Sequence, residues 1–161
     1  MDRVDKINYY LDIAEAVAER GTCLRNNYGS VIVKNDEIIS TGYTGAPRGR
    51  TNCIDIGYCK RKKMNTPSGM GYEYCRSVHS EQNAIISARR SDMIDATLYL
   101  VGIKKETGNY ITDNEPCTFC KRMILNAGIE KVVMRDTKTD YRISYTKEWI
   151  DNDDTLYKEE K

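Results

Sequence analysis

The sequence predicts an α/β fold in which a sheet is covered by helices. Three observations carry this reading. An apolar stripe at helical spacing opens the chain, short β-rich runs then alternate with helical patterns, and no internal repeat or low-complexity segment breaks the series. A length of 161 residues suits one domain with a sizeable core, so residues 1–161 are read as a single domain.

Residues 2–20 place Val4, Ile7, Leu11, Ala14 and Ala18 on one stripe, and Gly21 follows as a stop. The runs GSVIVK and EIISTGY are split by Asn35-Asp36, a turn pair, and form an antiparallel hairpin. Residues 44–75 carry Gly, Pro, Asn and three cysteines without any period. A stretch of that length inside a compact domain is functional or stapled, because its ordering entropy has to be offset. Residues 79–90 are helical, with Ala84, Ile85 and Ala88 toward the core, and ATLYLVG is the next strand. KKETGNYITDNE is an inserted hairpin turning at Gly108-Asn109. CTFCKRMILNAG is a helix ending near Gly128, EKVVMR a strand, and YRISY a candidate last strand.

Composition narrows the function. Twenty-five Lys and Arg against 24 Asp and Glu leave a net charge of +1, so no global field draws the chain to nucleic acid or to a membrane. The run KRKK at 60–63 is too short for a nucleic-acid groove and reads as a solvated loop face. MDRVDKINYY lacks an apolar signal core and no run is long enough to cross a bilayer, which leads to the expectation of a cytoplasmic protein. In that setting six cysteines point to metal binding or catalysis before disulfides.

Cys117 and Cys120 lie one turn apart at a helix start, with Pro116 suited to the first helical position. A helix N-terminus carries partial positive charge and favours the thiolate that a metal needs. His79, the only histidine, heads the other helix, so two helix N-termini can bring one imidazole and two thiolates together. A structural zinc usually takes four protein ligands, whereas a catalytic one keeps a position for water, whose pKa falls toward about 7. Glu81, two residues after His79, can take a proton from that water. A lone histidine or a lone CxxC is weak on its own. A zinc-stapled binding protein without turnover is the competing class, and it has no use for Glu81.

H-x-E followed by P-C-x-x-C resembles the signature of zinc-dependent nucleobase deaminases. With GTCLRNNYGSVIV, GYTGAPRG, NCIDIGYC, YCRSVHSEQNAI and PCTFCKRMILNAGI, the chain resembles the cytidine-deaminase superfamily across most of residues 20–135, and within it the deoxycytidylate (dCMP) deaminases. The resemblance implies a three-layer α/β/α fold around a mixed, roughly five-stranded sheet, and zinc-dependent hydrolysis of dCMP to dUMP and ammonia. Glu81 would carry a proton to N3 of cytosine and then to the leaving amino group. Ser80 stands where the family often has alanine, a small-for-small change. Thr44 stands where many relatives have an asparagine suited to the sugar, and keeps only a hydroxyl. Arg25 matches an arginine suited to a phosphate, and Tyr141-Arg142 a late pair near the nucleotide pocket. Another cytosine nucleoside or nucleotide, or a tRNA adenosine, is the alternative substrate, the latter disfavoured by the charge balance. Relatives are commonly oligomers, often hexamers, activated by dCTP and inhibited by dTTP, with GYTGAPRG near the effector region.

Cys23, Cys53, Cys59 and Cys75 remain. Four thiols are what a closed tetrahedral zinc site requires, and three of these lie in the irregular 44–75 stretch. A second, structural zinc is therefore expected, a reading that some relatives share. Buried thiols or a disulfide are the alternatives.

Overall fold

The computed structural model describes residues 2–153; Met1 and residues 154–161 of the expected domain lie outside the described residues. Helix α1 spans Lys6–Ala18 rather than 2–20, because Asp5 caps it by accepting from the Asn8 amide at 2.9 Å. Val4 falls before the cap and is half exposed, while Leu11, Ala14 and Ala18 are buried as the stripe requires. Strands β1 (Asn26–Lys34) and β2 (Glu37–Tyr43) form the expected hairpin. Asn35 and Asp36 have φ of 52° and 60°, the paired left-handed residues of a two-residue hairpin turn.

Strands β3 (Thr97–Lys104), β4 (Lys131–Arg135) and β5 (Tyr141–Tyr145) complete a five-stranded sheet of order β2-β1-β3-β4-β5. Only β3 and β4 run parallel, so the sheet is mixed. Its alternating side chains serve two cores. Val31, Val33, Val101 and Val133 face α1 and pack on Tyr10, Leu11 and Ala14. Ile32, Leu98, Leu100, Val132 and Met134 face the other way, onto Ala84 and Ile124. The expected α/β/α layering follows.

Four short helices lie between β2 and β3: α2 (Cys53–Ile56), α3 (Lys60–Lys63), α4 (Ser80–Ile86) and α5 (Arg90–Met93), with a 3₁₀ turn at Tyr72–Tyr74. The helix expected over 79–90 thus breaks after Ile86. Ala88 still packs on the core, but no apolar residue follows it before Met93 at the end of the next turn. KRKK is not a loop face, as expected from sequence, but the turn α3. Lys60, Arg61 and Lys63 sit over the rings of Tyr74, Tyr72 and Tyr58 at 5.4, 4.5 and 3.8 Å.

Past β3 the inserted hairpin turns at Gly108, with φ of 72°, and the Lys104 amide donates to the Asn109 carbonyl. Helix α6 spans Thr118–Ala127, ending at a left-handed Gly128, and α7 (Thr146–Asp151) follows β5. Among the described residues no helix is long and apolar enough to cross a membrane.

Candidate active site

His79 is the N-cap of α4, and its amide donates to Gln82 Oε1 at 2.9 Å. Cys117 is the N-cap of α6, so Pro116 stands just before the cap rather than at the first helical position. Cys120 follows one turn on and is fully buried. Both Cys117 Sγ and Cys120 Sγ lie 3.4 Å from His79 Nδ1. The donor atoms of all three fall within 4.8 Å of one another.

These groups share protons. The Cys117 thiol is held down to about 4 by the hydrogen bond from Cys120, against burial and with help from His79. The same bond, with burial, pushes the Cys120 thiol up. His79 is raised to about 10, first by its bond to Cys117 and then by Cys75. One nitrogen and two sulfurs meeting at two helix N-termini fit a zinc ion, which would bind the thiolates and the neutral imidazole in place of protons.

Glu81 is only 5 % exposed. Ser80 Oγ donates to Glu81 Oε1 at 2.7 Å, and Ser30 Oγ lies 2.8 Å from Ser80 Oγ, both serines being fully buried. A hydroxyl has one proton, and that of Ser80 goes to Glu81, so Ser30 donates to Ser80. Treating Ser80 as a neutral stand-in for alanine missed this chain. Its signal was Ser30, the one serine in β1, set against the apolar run Val31-Ile32-Val33. Helix α4 comes this close to the sheet because Gly42 of β2 has no side chain to hold it off.

A cavity of about 220 Å³ opens over the cluster, with His79, Glu81, Cys117 and Leu100 among its lining. Arg25 and Thr44 also line it, and Arg25 is exposed. The Thr44 hydroxyl accepts from the Tyr28 amide at 3.0 Å, tying the GYTGAPRG loop to β1. Tyr72 meets His79 edge-on, with ring centroids 5.2 Å apart. Tyr141 does not line this cavity. It packs against the α1 side of the sheet, and Arg142 forks onto Asp136 and Asn114. Arg61 and Tyr72 do line it and were not foreseen. Arg61 was hidden inside a run of lysines.

Cys23, Cys53, Cys59 and Cys75 all line a second cavity of about 110 Å³. Burial raises the Cys53 thiol, and the three other thiols add to the rise. Cys23, Cys59 and Cys75 line both cavities, and Cys75 also hydrogen-bonds His79, which links the two groups of cysteines.

The model of the cytidine and deoxycytidylate deaminase zinc-binding region matches residues 4–136. A deoxycytidylate deaminase of Mycobacterium phage D29 is 37% identical over 138 residues, covering 83% of this chain and 96% of that protein. A deoxycytidylate deaminase of Schizosaccharomyces pombe is 33% identical over 127 residues, but the chain spans only 35% of its length. In three dimensions the chain resembles the dCMP deaminase of cyanophage S-TIM5, solved with dCMP and dUMP. The TM-score is 0.58 at 24% identity, over 85% of both chains.

Proposed function

Because the chain belongs to the cytidine and deoxycytidylate deaminase zinc-binding family, we propose that it hydrolyses dCMP to dUMP and ammonia, with residues 1–161 acting as one domain. The observation that carries this is a buried carboxylate, Glu81, beside a cluster of one imidazole and two thiols at the foot of one cavity. His79, Cys117 and Cys120 would hold the zinc. Bound there, zinc supplies the Lewis acidity that makes a water nucleophilic at neutral pH.

The chain's own residues do the rest. Glu81 accepts one proton of the attacking water and passes it to N3 of cytosine. It then takes the second proton, from the new C4 hydroxyl, and gives it to the amino group as the C4–N bond breaks and the C4 carbonyl forms. One water is consumed and one ammonia leaves, so Glu81 returns to its starting state. The Ser30 and Ser80 hydroxyls hold Oε1, which stops the carboxylate from swinging and leaves its other oxygen for the proton. Leu100 and Tyr72 narrow the cavity around the base. Arg25, exposed at the cavity, meets the 5′-phosphate, and Thr44 orders the loop beside it through Tyr28. Tyr141, on the far side of the sheet, is given no contact in this mechanism.

The finer features belong to the same proposal. A second zinc held by Cys23, Cys53, Cys59 and Cys75 is supported by the cavity that all four line, and it would brace the approach to His79. Control by dCTP and dTTP is supported by paired backbone bonds between Gly45 of GYTGAPRG and Val78, next to His79. A homo-oligomer, with a hexamer favoured, suits the exposed Ile86 on α4 and Phe119 on α6. A cytoplasmic setting suits six free thiols.

The test is to incubate zinc-loaded protein with cytidine, deoxycytidine, CMP, dCMP and dCTP and follow ammonia. The expected result is release from dCMP well above the rest. Release from none of them, or equally from all, overturns the proposal.

A further inference from the structure

Arg61 is the cation of the 44–75 excursion that lines the cavity and that the proposed mechanism leaves unused. Of the four basic residues in α3 it alone lines the cavity shared by His79 and Glu81. Its guanidinium is held in place from one edge. Nε donates to the Met70 carbonyl at 3.2 Å, and Nη2 donates to Met70 at 2.6 Å and to Pro67 at 3.4 Å. Its plane lies over the Tyr72 ring at 4.5 Å, and Tyr72 itself stands against His79. A guanidinium has five N–H donors, so these bonds account for Nε and Nη2 and leave the two on Nη1.

The base has to reach His79 and Glu81, which leaves the 5′ end of a nucleotide toward the cavity mouth. Two guanidiniums line that cavity, Arg25 from the start of β1 and Arg61 from α3, with Ser68 and Gly69 beside the latter. Glu115 also lines it and carries the opposite charge, but it faces Lys121 at 3.5 Å.

We infer that Arg61 is a second anchor for the substrate phosphate, which makes the excursion between β2 and α4 the element that prefers a nucleoside monophosphate over a nucleoside. This rests on the dCMP reading above. An arginine already oriented by two carbonyls and a ring loses little freedom when it takes an anion, and its fork fits phosphate better than a lysine's point charge.

The rival role is a strut that only shapes the loop, and two substrates separate the roles. For Arg61→Ala, kcat/KM with dCMP should fall about tenfold or more, through KM, as expected for a lost charge-assisted pair at a half-open site. With deoxycytidine it should change by less than about twofold, because that substrate has no phosphate to lose. Arg61→Lys should recover part of the dCMP loss. Inorganic phosphate, titrated calorimetrically into the zinc-loaded protein, should bind more weakly to Arg61→Ala, a readout that does not depend on turnover. Equal losses with both substrates, or unchanged dCMP kinetics and phosphate affinity, overturn the inference. Wild-type protein that binds phosphate through Arg61 yet leaves dCMP intact would support the anion site while removing the substrate reading beneath it.

Discussion

Gly42→Ala tests how the sheet positions the catalytic helix. A Cβ at residue 42 would lie 2.3 Å from the Ser80 carbonyl oxygen, 2.4 Å from the Ala84 nitrogen and 2.9 Å from the Asn83 carbonyl carbon. All three are backbone atoms of α4, so no side-chain rotation can relieve the clash. Ordinary contact begins near 3.4 Å, and α4 must therefore retreat by about 1 Å. His79, Ser80 and Glu81 travel with it, while Cys117 and Cys120 stay on α6. A displacement of that size costs about 10²-fold in rate, and overpacking costs about 1–3 kcal/mol in stability. Gly29→Ala is the matched control, since its Cβ would meet the Ala14 oxygen at 2.1 Å and the Ala18 nitrogen at 2.5 Å on the opposite face. It should cost similar stability and leave kcat of the folded protein within about twofold, the sites being independent. Both variants are to be compared by thermal melting and by ammonia release at saturating dCMP. Equal kcat losses for the two, or a Gly42→Ala enzyme of normal rate, would refute the seating of α4 on Gly42.

Other outcomes follow from the same geometry. Cys53→Ser should lower the zinc content of native protein from two ions per chain to one, with activity falling indirectly through Cys75 and His79; a parent containing a single zinc contradicts it. Arg135 is fully buried, donating to Asp12 at 2.9 Å, Glu15 at 2.7 Å and Asn8 Oδ1 at 3.0 Å. Breaking such a buried pair costs about 3–5 kcal/mol, less here because its acidic partners are partly exposed, so Arg135→Met should lose about 2–3 kcal/mol in denaturant titration. Its kcat should be unchanged, since Arg135 lies on the α1 side of the sheet.

The readable parts of the chain were those whose signal is local and periodic. The α1 stripe, the Asn35-Asp36 turn and the apolar strands each announce themselves within a few residues, and all five strands were expected. The candidate metal cluster was legible for another reason: His79 is the only histidine, Cys117 and Cys120 form a CxxC pair, and all three stand at helix starts. Single turns such as α2 and α3 are too short to show a period, which is why the 44–75 excursion read as irregular. Contacts that depend on how the chain folds back left at most a weak trace. The Ser30 to Ser80 bond joins residues 50 apart, and Arg61 gains its place from the carbonyls of Pro67 and Met70. Tyr141 was carried over by likeness alone, and the pleat of β5 turns it to the α1 side.

Glu81→Gln bears most directly on the proposed chemistry. The amide keeps the size of the carboxylate and can still accept from Ser80, so the variant should fold and bind the same zinc as its parent. It cannot accept a proton from water or return one to the leaving group. Turnover of dCMP, followed as matched release of dUMP and ammonia, should fall by about 10²–10⁴-fold or more. A zinc-loaded Glu81→Gln protein that still converts dCMP at a near-normal rate would contradict the central role given to this carboxylate.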